Sequence, residues 1–167
     1  MTEYPGADLQ GCLALSLVIP VFNEVQSIDL FIARVDRVFA NEPLVTLELV
    51  FVNDGSVDET LVLLLEKQRA DPRIRIGDLS RNFGKEAARR AGRQAARVQA
   101  VVPIDVDLQD PPEVILQMIA HWRNGAEVVL GHRINRDSDS WAKQVSANGF
   151  YRLHNKIADH KLPENVG

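Results

Sequence analysis

The chain has 167 residues, 46% of them apolar and 25% charged, which is the balance of one ordinary globular domain with room for a real core. Its net charge of −4 argues against binding nucleic acid by general phosphate neutralisation, so no nucleic-acid partner is expected. The single cysteine, Cys12, excludes an internal disulfide and fits a reducing compartment.

Residues 1–13 carry Pro5, Gly6 and Gly11 without periodicity and read as a flexible tail, with the domain proper over residues 14–167. The apolar run Leu13 to Phe22 is about half the roughly 20 residues a spanning helix needs, and Pro20 interrupts it. No basic segment precedes it, so it is neither a membrane span nor a signal peptide. Leu15–Val21 is the first strand, apolar on both faces as a parallel sheet requires, and it ends in Phe22-Asn23-Glu24. Ile28, Phe31, Ile32, Val35, Val38 and Phe39 then keep helical spacing. Leu47–Val52 is the second strand and runs into Asn53-Asp54-Gly55-Ser56. Asn-Asp-Gly can close a hairpin. Here, however, Ser56-Val57-Asp58-Glu59 reads as a capping box, and Leu61, Leu64 and Leu65 continue as a helix.

Ile74–Leu79 is a third, shorter strand. It leads through Ser80-Arg81-Asn82-Phe83-Gly84-Lys85 into a helix reaching about Val98. Ala87, Ala88, Ala91 and Ala95 suit that helix to close packing on a sheet, while Arg89, Arg90, Arg93 and Arg97 make it locally basic. Residues 100–105 form the fourth strand, made irregular by Pro103. Pro112 suits the first position of a helix running to Trp122. Glu127–Leu130 reads as a fifth strand ending in Gly131-His132-Arg133, residues 135–140 as a polar connection, and Trp141 to about Ala158 as a final helix with a mixed face. Strand and helix alternate four times, which predicts an α/β fold, a three-layer α/β/α sandwich on a mostly parallel sheet. The Rossmann and P-loop glycine patterns are both absent, which argues against a dinucleotide redox enzyme or an ATPase.

The densest chemistry lies in Val102 to Pro112, where Asp105, Asp107, Gln109 and Asp110 follow an apolar run and Pro111-Pro112 close it. In open α/β sheets ligands bind beyond the carboxyl ends of the strands. Asp105 and Asp107 lean the same way if the backbone stays extended. Two like charges that close repel, and a divalent cation is the usual remedy, with oxygen ligands favouring Mg²⁺ or Mn²⁺. A solvated acidic turn would look the same. A calcium loop would not, because counting from Asp105 places Asp110 where glycine is needed and Leu116 where glutamate is needed. A lone Glu24 or Asp54 is most often a helix cap or turn former. Acids at three strand ends (Glu24, Asp54 and the Asp105/Asp107 pair) instead point to convergence on one edge of the sheet.

The stretches Val18 to Glu24, Val52 to Thr60, Leu79 to Ala87, Asp105 to Pro112 and Gly131 to Arg133 together resemble the family 2 inverting glycosyltransferases of the GT-A fold. Within that family, Ser80-Arg81-Asn82-Phe83-Gly84-Lys85 and Asp107-Leu108-Gln109-Asp110-Pro111-Pro112 are most similar to the polyprenyl-phosphate glycosyltransferases, such as dolichol-phosphate mannose synthase and bactoprenol glucosyltransferases. The resemblance spans about residues 14–167. It implies that Pro20, Phe22, Glu24 and Asp54 hold the nucleoside, and that Asp105, Asp107 and Gln109 match the metal-binding D-x-D and the glutamine after it. It also implies that Arg133 contacts phosphate, so that Asp107, Arg133 and Lys85 carry the chemistry. Lys85 and Arg81 would serve the acceptor phosphate or the donor, or merely be a solvated helix start. Val106 stands where the family often has alanine.

The function implied is metal-dependent, inverting transfer of a sugar from a nucleotide donor to a polyprenyl phosphate at the cytoplasmic face of the membrane, in cell-wall biogenesis. UDP-glucose or a related UDP-sugar leads, and GDP-mannose stays open. Family members usually continue past the position of Gly167 and often carry membrane helices, which implies a catalytic domain lacking its C-terminal part. The final helix would then lie on a membrane surface or pack on that missing part. The alternatives are transfer to a soluble or cell-wall glycan and a donor-binding module without turnover. A receiver-type signalling domain leaves Gly131-His132-Arg133 and the Asp-Leu-Gln-Asp-Pro-Pro run unexplained.

Overall fold

A computed structural model of the chain describes residues 12–131 other than Arg97. The described residues fall into two compact units that divide between Ile115 and Leu116. The elements run β1 (Leu13–Val21), α1 (Ile28–Phe39), β2 (Val45–Asn53), α2 (Thr60–Ala70), β3 (Ile74–Asp78), α3 (Lys85–Ala95), β4 (Ala100–Pro103) and α4 (Val114–Arg123). The strands form one sheet in the order β3-β2-β1-β4, and every pairing is parallel.

Two long central strands carry the core. β1 and β2 are nine residues each and pair from Leu13↔Val45 to Val21↔Asn53. Both are nearly continuous in Leu, Val, Ile and Phe, which a parallel strand covered on both faces needs. Alternation along β2 sends Phe51 to one face and Val50 and Val52 to the other. On the first face, Phe51 meets Phe31 of α1 edge-on, with ring centroids 6.2 Å apart. Phe31 belongs to the buried stripe Ile28, Phe31, Val35 and Phe39, the spacing of a helix with one apolar side. On the second face, Val18, Val50 and Val52 cluster with Ala88 of α3. Gly92 lets α3 come closer still, because a Cβ there would lie 2.3 Å from Val18 Cγ1. With helices on opposite faces of the sheet, the three-layer sandwich expected from the sequence is present.

The chain steps outward from β1 to β2 to β3, then crosses back to the other flank of β1 to lay down β4. Right-handed crossovers put α1 and α2 on one face and α3 on the other. β1 and β4 therefore flank a topological switch point, where the helices on their two sides leave a crevice. Pro103 ends β4 opposite Val18 and donates nothing, yet Ile104 resumes the ladder by donating to the Val18 carbonyl at 3.0 Å.

Several strand ends shift by one or two residues, β4 among them ending at Pro103 rather than residue 105, and four larger differences from the sequence reading stand out. Ser56 does not cap α2, because its Oγ is taken by the amide of Asn23 at 2.9 Å. The helix opens instead at Thr60, whose amide donates to Asp58 Oδ1 at 3.0 Å. α3 ends at Ala95, short of Val98, where Arg75 donates to the Ala95 carbonyl at 3.2 Å while held by Glu48 at 2.9 Å. Pro112 sits in a turn just before α4, its carbonyl accepting the Ile115 amide at 3.0 Å. Glu127–Leu130 is not a strand. It has no ladder partner among the described residues. The tail, Arg97, Arg133, the polar connection and the final helix lie outside the described residues.

Candidate functional site

The loops at the carboxyl edge of the sheet are laced to one another by hydrogen bonds. Asn23 follows β1 with φ 55°, a left-handed conformation that asparagine tolerates better than most residues. Its Oδ1 accepts the Val57 amide at 2.9 Å while its own amide donates to Ser56 Oγ. The next residue repeats the link, the Glu24 amide donating to Thr60 Oγ1 at 2.9 Å. Glu24 Oε2 in turn accepts the Ser27 hydroxyl at 2.8 Å.

Asp54, buried at the end of β2, reaches the third loop. Its two oxygens accept the amides of Phe83 at 2.8 Å and Gly84 at 2.9 Å. Gly55 has φ 70°, and a Cβ on it would lie 2.5 Å from the Arg81 carbonyl carbon, so only glycine lets the two loops touch. Arg81 lies over the Phe83 ring, 4.8 Å from its centroid.

These loops and the one after β4 enclose a cleft of about 260 Å³ at the switch point. Pro20, Phe22, Glu24, Asp54, Lys85, Asp105 and Asp107 all line it, so the structure brings together seven of the nine residues singled out from the sequence. Gln109 is exposed and outside the lining; its amide donates to Asp107 Oδ1 at 3.0 Å, in a tight turn that holds Leu108 at φ 59°. Arg133 lies outside the described residues.

Asp105 is the electrostatic centre of the cleft. Lys85 Nζ stands 2.5 Å from its Oδ2, and Arg89 Nη2 stands 3.0 Å from its Oδ1. Burial pushes the Asp105 carboxyl up, but the bonds and charges of Lys85 and Arg89 outweigh it and hold the group below its ordinary range. The relief sought from a cation is thus supplied here by two side chains of α3. Asp107 is exposed, and its Oδ1 accepts the Gln109 amide. No group of three or more His, Cys, Asp or Glu side chains suited to a metal assembles among the described residues. The donor set nevertheless fits Mg²⁺ or Mn²⁺ of the kind held by one or two carboxylates and completed by phosphate oxygens and water.

Arg89 was visible in the sequence only as one of a basic cluster. Its spacing four residues after Lys85, which places both on one side of a helix, was the available signal. Thr60 and Asn23 carried no such signal, since their roles depend on which loops meet.

The sequence profile of Glycosyl transferase family 2 matches residues 16–167. A prophage bactoprenol glucosyl transferase homolog of Escherichia coli is 45% identical over 155 residues, covering 93% of this chain and 50% of its own length. The bactoprenol glucosyl transferase of Shigella phage SfV is 46% identical over the same shares. This chain spans about half the length of the curated relatives it matches. Among solved structures, a mannosyltransferase of Pyrobaculum calidifontis in complex with GDP-Man and Mn²⁺ superposes with a TM-score of 0.61 at 20% identity, over 83% of this chain and 40% of that one. Glucosyl-3-phosphoglycerate synthase of Mycobacterium tuberculosis, in complex with UDP, gives 0.57 at 19% identity, over 97% and 60%. At that identity the two structures show the fold, which is GT-A.

Proposed function

Because this chain belongs to glycosyl transferase family 2, we propose that its cleft binds a nucleotide-sugar and that the protein transfers the sugar, with inversion, to a polyprenyl phosphate. The observation that carries the reading is the cleft itself, which lies at the switch point with apolar Pro20 and Phe22, the carboxylates Asp105 and Asp107, and the cation Lys85 in its walls. On this reading the base rests by Pro20 and Phe22, Glu24 and Asp54 stand near base and ribose, and the diphosphate lies toward Lys85. The half-exposed Phe22 ring offers a stacking face, and a cation beside the cleft offers a counter-charge for phosphate.

The chemical demand is to stabilise the charge that develops on the departing nucleoside diphosphate. Mg²⁺ or Mn²⁺, held by Asp105 and Asp107 with Gln109 close in sequence, would supply Lewis-acid stabilisation there. Lys85 adds a positive charge from this chain, and Arg133 is the proposed phosphate contact from the segment beyond. The acceptor is an ionised phosphate and needs little help from a general base.

The names of the relatives favour glucose as the sugar and bactoprenol as the lipid of the acceptor; the proposed donor is a UDP-sugar ahead of a GDP-sugar. Such an acceptor would place the reaction at the cytoplasmic face of a membrane. No helix among the described residues is long and apolar enough to cross one. The reading is tested by calorimetric titration of UDP and GDP, each with Mn²⁺ and with EDTA, on this chain and on Asp107→Ala. Metal-dependent binding of one nucleotide, lost in Asp107→Ala, supports it. A folded sample that binds neither rejects it.

A further inference from the structure

Asp105 is held twice, and the two holds differ in kind. Lys85 lines the cleft, its side chain is 51% exposed, and it carries a compact charge on a flexible stem. Arg89 stands one turn further along α3, outside the cleft lining, with its side chain 27% exposed. Its Nη1 is engaged by Glu86 at 2.9 Å while Nη2 holds Asp105, and its Nε is buried without a hydrogen-bond partner. A planar fork fixed at two points and partly removed from water does not re-aim easily. An exposed ammonium does.

A nucleoside diphosphate entering the cleft offers Lys85 a competing anion of higher charge than one carboxylate. Lys85 is therefore the hold that exchanges. Beside the cation it would share with Asp107, Asp105 would then keep one counter-charge from the protein, and that charge is Arg89. We propose that Arg89 is a positioning residue that keeps Asp105 fixed in the cleft wall when Lys85 turns to the donor's diphosphate. The inference rests on the donor reading above and adds to it a residue that never touches the donor. Groups behind a ligating carboxylate commonly alter affinity through it by about ten- to a hundredfold when removed.

The test compares the full chain with Arg89→Ala, Arg89→Lys and Asp105→Asn, and with Arg89→Ala combined with Asp105→Asn. The readouts are UDP and GDP affinity with Mn²⁺, melting temperature, and amide hydrogen exchange at Ile104 and Gln109. Alanine and lysine both favour helix, so α3 should persist and the melting temperature should stay within a few degrees. Arg89→Ala should weaken nucleotide binding by about tenfold or more and speed exchange at Gln109, and Arg89→Lys should recover most of both. In the Asp105→Asn background the further loss from Arg89→Ala should vanish, because the residue acts only through that carboxylate. An equal loss with and without Asp105 overturns the proposal, and so does unchanged exchange with unchanged affinity. Binding by the wild type that Arg89→Ala leaves intact removes the anchor and keeps the donor reading. If the wild type binds neither nucleotide, faster exchange in Arg89→Ala upholds the anchor while the donor reading fails, and unchanged exchange removes the anchor too.

Discussion

Asp54 accepts the Gly84 amide at 2.9 Å and the Phe83 amide at 2.8 Å, so the carboxylate just after β2 fixes the entry to α3. That entry carries Lys85, and Lys85 meets Asp105 after β4. Three strand ends are thus connected through one buried side chain.

Asp54→Asn keeps the volume but turns one acceptor into a donor that faces a backbone amide. The expected cost is about 1–3 kcal/mol, the penalty for leaving a buried hydrogen-bonding group unmatched. It should appear as a lower urea midpoint with an unchanged slope. No change in midpoint would mean that the 82–84 loop keeps its position by other means.

Gly55→Ala tests the contact between the loops after β2 and β3. The new methyl would have to share space with the backbone of Arg81 and Asn82, at a φ of 70° that alanine resists. A loss of about 2–4 kcal/mol is expected from strain and overlap together, read in the same unfolding experiment. Nucleotide binding should fall with it, since Asn82 and Gly84 line the cleft.

Gly92→Ala sets two effects against each other. Alanine in a helix gains about 1 kcal/mol over glycine. Against that, its Cβ would meet Val18 Cγ1 at 2.3 Å and Val52 Cγ2 at 3.0 Å, on strands too constrained to retreat. Overpacking of about 1–3 kcal/mol should win and leave the variant less stable. Combined with Val18→Ala, the substitution should cost less than the two changes summed, because the clashing methyl is then gone. Additive losses would show that α3 shifts rather than collides.

Acid should weaken the fold through Asp105. Burial raises its carboxyl and the Lys85 and Arg89 contacts lower it further, so its folded value lies below the ordinary 3.8. A depressed carboxylate stabilises the folded state fully above its unfolded value, and that contribution is lost as pH falls through the folded one. Asp71 behaves alike, held down chiefly by its bond to Arg73. Unfolding midpoints measured from about pH 6 to about pH 3 should fall most steeply below the ordinary carboxylate value. Asp105→Asn should flatten part of that slope, with the effect reduced because the site is partly solvated. An identical slope in the variant would remove Asp105 from the account.

Most of the sheet was legible because parallel strands buried on both faces write themselves as apolar runs. Leu15–Val21 and Leu47–Val52 were found inside the longer β1 and β2, and the stripe from Ile28 to Phe39 matches α1 end to end. The failures share one cause, which is competition decided in space. Ser56 had the sequence of a cap, but its oxygen went to Asn23, a residue 33 positions away. Glu127–Leu130 had the composition of a strand but pairs with nothing among the described residues. The acids were found because they end strands. Their state was not, since the charge on Asp105 depends on Arg89, which the pattern alone did not distinguish from its basic neighbours.

β4 pairs with β1 although Ala100 and Leu15 lie 85 positions apart in the chain. Closing so long a loop is entropically late, and nothing local rewards it beforehand. The cleft has one wall at the end of β1 and another in the loop that follows β4, so no chain lacking this pairing possesses it. A nucleotide can therefore recognise only the finished molecule. It would lengthen the lifetime of the native state by mass action and leave the speed of reaching that state untouched.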